Sequence, residues 1–209
     1  MKLPHFTSRF VPVVEIDDAA HAVPLAHALL AGGVDVIEIT LRTAQALPAI
    51  EAIAKDGVPI ALGAGTVLSA LQLTACADAG ARFAISPGAS RTLLEAGAVN
   101  VIPFIPGVAT PSEAMSAAEL GYTLLKLFPA AAVGGVPLLK GIAGPLPELH
   151  FIPTGGIDAK NAAEFLALPN VRAVGGSWLA PRKLIVAKDW AGITALARAA
   201  TSTGQSTGI

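Results

Sequence analysis

A chain of 209 residues with a formal net charge of −1 and no block of basic residues is not built to hold nucleic acid or another polyanion, so any anion it binds must be held locally. Its single cysteine, Cys76, leaves no partner for an internal disulfide; with no secretory signal pattern at the N-terminus, a cytoplasmic protein is expected, with Cys76 a small core residue. Residues 57–77 carry no charge, but Pro59, Gly63, Gly65, Ser69 and Gln72 interrupt them, so this window reads as a buried strand, a glycine turn and a helix start rather than a membrane span.

Short apolar, β-prone runs alternate with helical stretches rich in alanine and leucine. Val11–Ile16 is followed by a helix over Ala19–Ala31. Strands are then predicted at Val36–Leu41, Ile60–Ala64, Phe83–Ser86, Val101–Ile105, Leu124–Phe128, His150–Pro153 and Val171–Gly175, each with helical sequence behind it. Eight such units point to α/β architecture as a closed parallel (β/α)8 TIM barrel, with an open doubly wound sheet as the alternative. The alternative lacks its usual signature, because Gly63-Ala-Gly65 has no third glycine of a dinucleotide fingerprint. No Ser/Gly-rich or charge-dense linker divides the chain, so residues 1–209 read as one domain with a loose tail from about Thr201. Only 14% of the residues are charged, which fits a surface partly covered by another subunit as well as alanine-rich helices.

Successive side chains of a strand face opposite sides, and in a barrel one side faces inward. In the second strand Ile37, Ile39 and Leu41 share one face, and Glu38, Thr40 and Arg42 share the other. The polar set belongs inside. In the run TLLKLFP over 123–129, Lys126 and Phe128 point opposite to Leu125 and Leu127, which places an amine in an apolar strand. Its bland reading is a lysine that snorkels to water. The functional one is a nucleophile, since burial disfavours a charged amine and free amine attacks a carbonyl. A carboxylate such as Glu38 near that amine suits the proton transfers of imine formation, and Arg42 suits a bidentate clamp on a substrate carboxylate. A plain Glu38–Arg42 ion pair is the competing reading.

Glycines recur after the last two predicted strands, in Pro153–Ile157 (PTGGI) and Val174–Ser177 (VGGS). Barrels build phosphate cradles there from backbone N–H groups and helix N-termini, and Ser177 adds a hydroxyl; tight turns are the alternative. His5, His21, His27 and His150 are scattered and lack a ligand motif, so no metal is expected.

Six ordered motifs spread over nearly the whole chain carry a family resemblance: VIEITLRT at 36–43, GAGTV at 63–67, FAISPG at 83–88, KLFPA at 126–130, PTGGI at 153–157 and GGSW at 175–178. Together they resemble the 2-keto-3-deoxy-6-phosphogluconate (KDPG) aldolases, class I aldolases that also include 4-hydroxy-2-oxoglutarate (KHG) activity. The resemblance implies that Lys126 forms an imine with the substrate and Glu38 shuttles protons. It further implies that Arg42 and Thr66 clamp the pyruvyl carboxylate, while Pro87 and Phe128 shape the pocket walls. Thr154 would lie beside the sugar hydroxyls, and Gly155, Gly156, Gly176 and Ser177 would hold the phosphate. It implies no cofactor beyond the covalent lysine imine, a 2-keto acid and a phosphorylated aldehyde as small-molecule partners, and a homotrimer. The galactonate epimer as main substrate, or an idle phosphate-binding barrel, are the alternatives. Two positions depart from the pattern: Ala131 stands where relatives often carry Glu, and Glu15 where they tend to have an apolar residue or arginine.

Overall fold

The computed structural model describes residues 5–205. Strands β1 (Phe10–Val14), β2 (Val36–Thr40), β3 (Ala61–Gly65), β4 (Phe83–Ile85) and β5 (Phe104–Ile105) are followed by β6 (Gly107–Val108), β7 (Leu124–Leu127), β8 (His150–Pro153) and β9 (Val174–Gly176). Helices intervene: α1 (Ala22–Ala31), α2 (Ala46–Asp56), α3 (Ala70–Asp78), α4 (Arg91–Ala98), α5 (Pro111–Ala118), α6 (Gly135–Ala143), α7 (Ala162–Leu166), α8 (Arg182–Val186) and α9 (Trp190–Gln205). All registered strand pairs are parallel, in the orders β5-β4-β3-β2-β1-β9 and β6-β7-β8. Isolated parallel bridges Phe151↔Val171 and Thr154↔Gly175 run between β8 and the chain at β9.

Strands buried on both faces need little alternation, and every residue of β2 and β3 is buried. The sequence ALGAG of β3 has poor strand propensity, and its formation rests on packing instead. A Cβ at Gly63 would lie 2.3 Å from Phe83 Cζ, and one at Gly65 would lie 2.1 Å from Glu38 Oε1, so both glycines give their space to neighbours. Three consecutive helices, α3 to α5, begin at legible caps. Ser69 accepts from Gln72 N, Ser90 from Leu93 N, and Thr110 with Glu113 closes a capping box ahead of Pro111.

Three expectations need correction. The predicted Val101–Ile105 strand shrinks to β5 (Phe104–Ile105), with Val101 exposed ahead of it, and a second short strand, β6, follows beyond Pro106, which has no N–H for a ladder. The final strand begins at Val174 rather than Val171, because Val171 N donates to Leu168 O in the turn after α7. Residues 201–205 continue α9, where Thr201 Oγ1 donates to the Gly32 carbonyl at 3.1 Å; the rest of the expected tail lies outside the described residues. Cys76 is buried as expected, and burial pushes its thiol up to about 11.

Arg9 ties the start of β1 to the chain ahead of β9. Its Nη2 donates to Val171 O at 2.9 Å and Leu166 O at 3.0 Å, and its Nε to Arg172 O at 3.2 Å. Arg9→Met strands these carbonyls, and we expect it to cost about 1–3 kcal/mol. A urea melt should show the midpoint falling with an unchanged slope.

Candidate active site

Lys126 lies mid-β7 and Glu38 mid-β2, each on an inward-facing position. Lys126 is 4% and Glu38 1% exposed, and Lys126 Nζ donates to Glu38 Oε1 at 3.0 Å. A buried charge is tolerated only when paired and hydrogen-bonded, so each group accounts for the other's position. The Phe128 ring centroid lies 5.4 Å from Nζ, adding a cation–π contact. A proton on Nζ is therefore one hydrogen bond from an oxygen that can receive it. Glu38 does not pair with Arg42; the competing reading of those two residues as a strand-end ion pair fails.

A cleft of about 850 Å³ opens at the C-terminal ends of the strands. Arg42, Phe128, Thr154, Gly155, Gly156, Gly176 and Ser177 all line it. Gly155 and Gly156 have φ of +97° and +74°, conformations that favour glycine, and a Cβ on Gly156 would meet Ala131 Cβ at 2.5 Å. Thr154 is buried, its hydroxyl making one long bond of 3.5 Å to the Ile152 carbonyl. It occupies the space that a side chain on Gly175 would need, since a Cβ there would sit 2.3 Å from Thr154 Oγ1.

Thr66 and Pro87 are not among the cleft's lining residues. Thr66 has φ +59°, a strained conformation for a β-branched residue, and it directly follows the glycine that packs on Glu38. Pro87 lies against Gly107, where a Cβ would meet the Pro87 carbonyl carbon at 2.3 Å; Gly107 in turn is in register with Lys126. Both sit beside the buried pair rather than at the open end.

The rim carries alternating charge. Glu15 is half-buried and accepts from Arg42 Nη1 at 2.8 Å, while its other oxygen lies 3.8 Å from Arg182 Nη1. Arg182 grips Asp17 through Nε at 2.7 Å and Nη2 at 2.6 Å. The hydrogen bond from Arg182 holds the Asp17 carboxyl below the usual carboxylate range, and Asp17 pushes the guanidinium up in return. Glu15, one of the two departures from the family pattern, stands at the cleft with both oxygens facing arginines. Sequence reasoning missed Arg182 and Trp178, although both lie just after the last strand, where loops of this architecture carry function. Among the described residues no three His, Cys, Asp or Glu side chains converge to hold a metal.

The model of the family described as KDPG and KHG aldolase matches residues 5–196. The chain belongs to this aldolase family. It is 53% identical over 192 residues to the 2-dehydro-3-deoxy-phosphogluconate aldolase of Pseudoalteromonas atlantica, covering 92% of this chain and 89% of that one. Among solved structures, the KDPG aldolase of Legionella pneumophila, with pyruvate captured as a covalent carbinolamine, superposes with a TM-score of 0.91. That match has 49% identity over 92% of this chain and 94% of the other. The Zymomonas mobilis KDPG aldolase with 3-phosphoglycerate gives a TM-score of 0.87 at 41% identity, covering 92% and 90% of the two chains.

Gly65 is the test of how tightly this aldolase fold holds Glu38. In Gly65→Ala the new Cβ meets Oε1 at 2.1 Å and Cγ at 2.6 Å, and the buried carboxylate must turn away from Lys126. We expect aldol cleavage to fall about 10²-fold with a stability loss of about 1–3 kcal/mol. Gly141→Ala, in α6 with open space around its Cβ, serves as the comparison and should stabilise by about 0.5–1 kcal/mol in a urea melt.

Proposed function

We propose that the protein is a class I aldolase that reversibly cleaves 2-keto-3-deoxy-6-phosphogluconate into pyruvate and glyceraldehyde 3-phosphate, with 4-hydroxy-2-oxoglutarate as a second substrate. The observation that carries this reading is the buried Lys126–Glu38 hydrogen bond of 3.0 Å beneath a cleft with a glycine-rich wall. Family membership and the relatives' names support the substrate class.

In this mechanism Nζ gives its proton to Glu38 and attacks the C2 ketone. The alkoxide takes a proton from the ammonium formed in the attack, giving a neutral carbinolamine, the species captured in the Legionella relative, while Glu38 keeps its proton. Glu38 then protonates the departing hydroxyl, and water leaves an iminium. That cation is the electron sink. Glu38, directly or through water, removes the C4 hydroxyl proton; the C3–C4 electrons flow into the iminium, releasing glyceraldehyde 3-phosphate and leaving an enamine. Protonation at C3 and hydrolysis of the imine return Lys126 and pyruvate. Arg42, helped by Thr66, holds the C1 carboxylate, Phe128 and Pro87 wall the pyruvyl end, and Gly155, Gly156, Gly176 and Ser177 receive the phosphate. The imine withdraws electrons as a Lewis acid would, so no metal or other cofactor is part of this reading.

The architectural proposal is a single closed (β/α)8 barrel. It is supported by the bridges between the chain at β8 and β9, and by β5 and β6, one in each sheet, being separated only by Pro106. A cytoplasmic homotrimer completes the reading, and exposed Leu68, Leu71 and Val99 are consistent with partner contacts.

Borohydride reduction in the presence of pyruvate should inactivate the enzyme and add a stable label at Lys126, located by mass spectrometry of a digest; a label on another lysine, or none, sinks the assignment. Glu38→Gln keeps the shape but loses the proton carrier, and kcat should drop about 10²–10⁴-fold. A drop below about threefold would reduce Glu38 to an ion-pair partner.

Thr154 supports the gluconate over the galactonate epimer, since its buried hydroxyl can bond a substrate hydroxyl of one configuration. Left unpaired by the other epimer, it should cost about 1–3 kcal/mol, or roughly five- to 150-fold in kcat/KM. Thr154→Val should erase most of that preference; a preference that survives unchanged would take Thr154 out of the specificity argument.

A further inference from the structure

Four charged side chains form a chain of ion pairs of alternating sign, Arg42, Glu15, Arg182 and Asp17; the first three line the cleft and Asp17 holds Arg182 from outside that lining. Arg42 belongs to the carboxylate end of the proposed site. Arg182 has no assigned task, although it lines the same cleft as Gly155, Gly156, Gly176 and Ser177. Asp17 takes its Nε and Nη2 in a two-point grip at 2.7 and 2.6 Å, which fixes the guanidinium plane on an otherwise exposed side chain. Nη1 is left. The Glu15 oxygen facing it is 3.8 Å away, an ion pair beyond hydrogen-bond length, and that carboxylate's other oxygen is committed to Arg42.

The charge around the glycine cradle gives this arrangement a purpose. Glu15 and Asp158 are the carboxylates that line the cleft, and a phosphate dianion entering beside them would be repelled. A guanidinium lining the same cleft as Gly176 and Ser177 offsets that repulsion and offers an N–H donor to a phosphate oxygen. We propose that Arg182 is a specificity-determining arginine that binds the terminal phosphate of the substrate, held ready for it by Asp17. Asp17 is a positioning residue, since it acts through the guanidinium it grips. The inference rests on the aldolase reading and assigns a part of that same site.

The test compares kcat/KM for 2-keto-3-deoxy-6-phosphogluconate with that for 2-keto-3-deoxygluconate, which differ only in the phosphate. In Arg182→Gln the preference for the phosphorylated substrate should fall about five- to twentyfold, through KM rather than kcat, the loss of a charge-assisted hydrogen bond in a solvent-open site. Arg182→Lys keeps the charge without the fork and should recover part of it. Asp17→Asn should lower the preference less, and Asp17→Asn combined with Arg182→Gln should be no worse than Arg182→Gln alone. A wild-type preference near unity, or one that changes less than about twofold in Arg182→Gln, overturns the assignment. Pyruvate–borohydride labelling of the wild-type protein separates the two readings. Without a label at Lys126 the aldolase reading fails; with the label and an unchanged preference, only Arg182 loses its role.

Discussion

Everything at the centre of this molecule is arranged around one buried ion pair. Removing a lysine and a glutamate from water costs several kcal/mol each, and a pair of well-packed apolar side chains in their place would give an equally or more stable core. The cost is offset by geometry. Lys126 and Glu38 meet at 3.0 Å, Gly65 yields the volume that the carboxylate fills, and Gly107 stands opposite Lys126 in the neighbouring strand. Breaking the pair from either side leaves an uncompensated buried charge, since Lys126 and Glu38 are only 4% and 1% exposed. The pair therefore sits where the fold has least freedom to relax, and its geometry is set by the folded chain alone.

The outer part of the site obeys different physics. The ion pairs at the rim are partly exposed, so water and salt screen them and each contributes little to stability. Their contribution is orientation. A guanidinium gripped by a carboxylate loses less freedom when a ligand binds, because its plane is already set. The interior pair lies at mid-strand on β2 and β7, and the rim pairs stand at the cleft that opens at the strands' C-terminal ends.

Much of this was legible in the chain. The strands show as apolar runs because both their faces are buried, and the parity of Val36–Thr43 alone puts Glu38 inside with Lys126 as its natural counterpart. The glycine pairs at the ends of β8 and β9 stood out in the chain because they recur at corresponding strand ends, and both pairs line the cleft in part. Other features depend on distance across the fold. Nothing local to residue 182 announces that it meets Asp17, 165 positions away, and nothing local to Glu15 shows which arginine it faces. The β5–β6 break was missed because Val101 and Ile102 extend the apolar run, while Pro106 removes the donor that pairing would need just beyond Ile105.

The interlock of Thr154 with Gly175 has a consequence for how such a site can change over time. Because the threonine hydroxyl fills the place of the missing side chain, the two positions form one unit of variation. A larger residue at 175 is barred while Thr154 remains, and shrinking residue 154 first would open a void at the cleft wall. Any route to a different cleft wall that passes through position 175 is therefore ordered: the change at 154 comes first, and the effect of the second change depends on it. Such ordering makes the route narrow in both directions, so a lineage that has crossed it does not readily return.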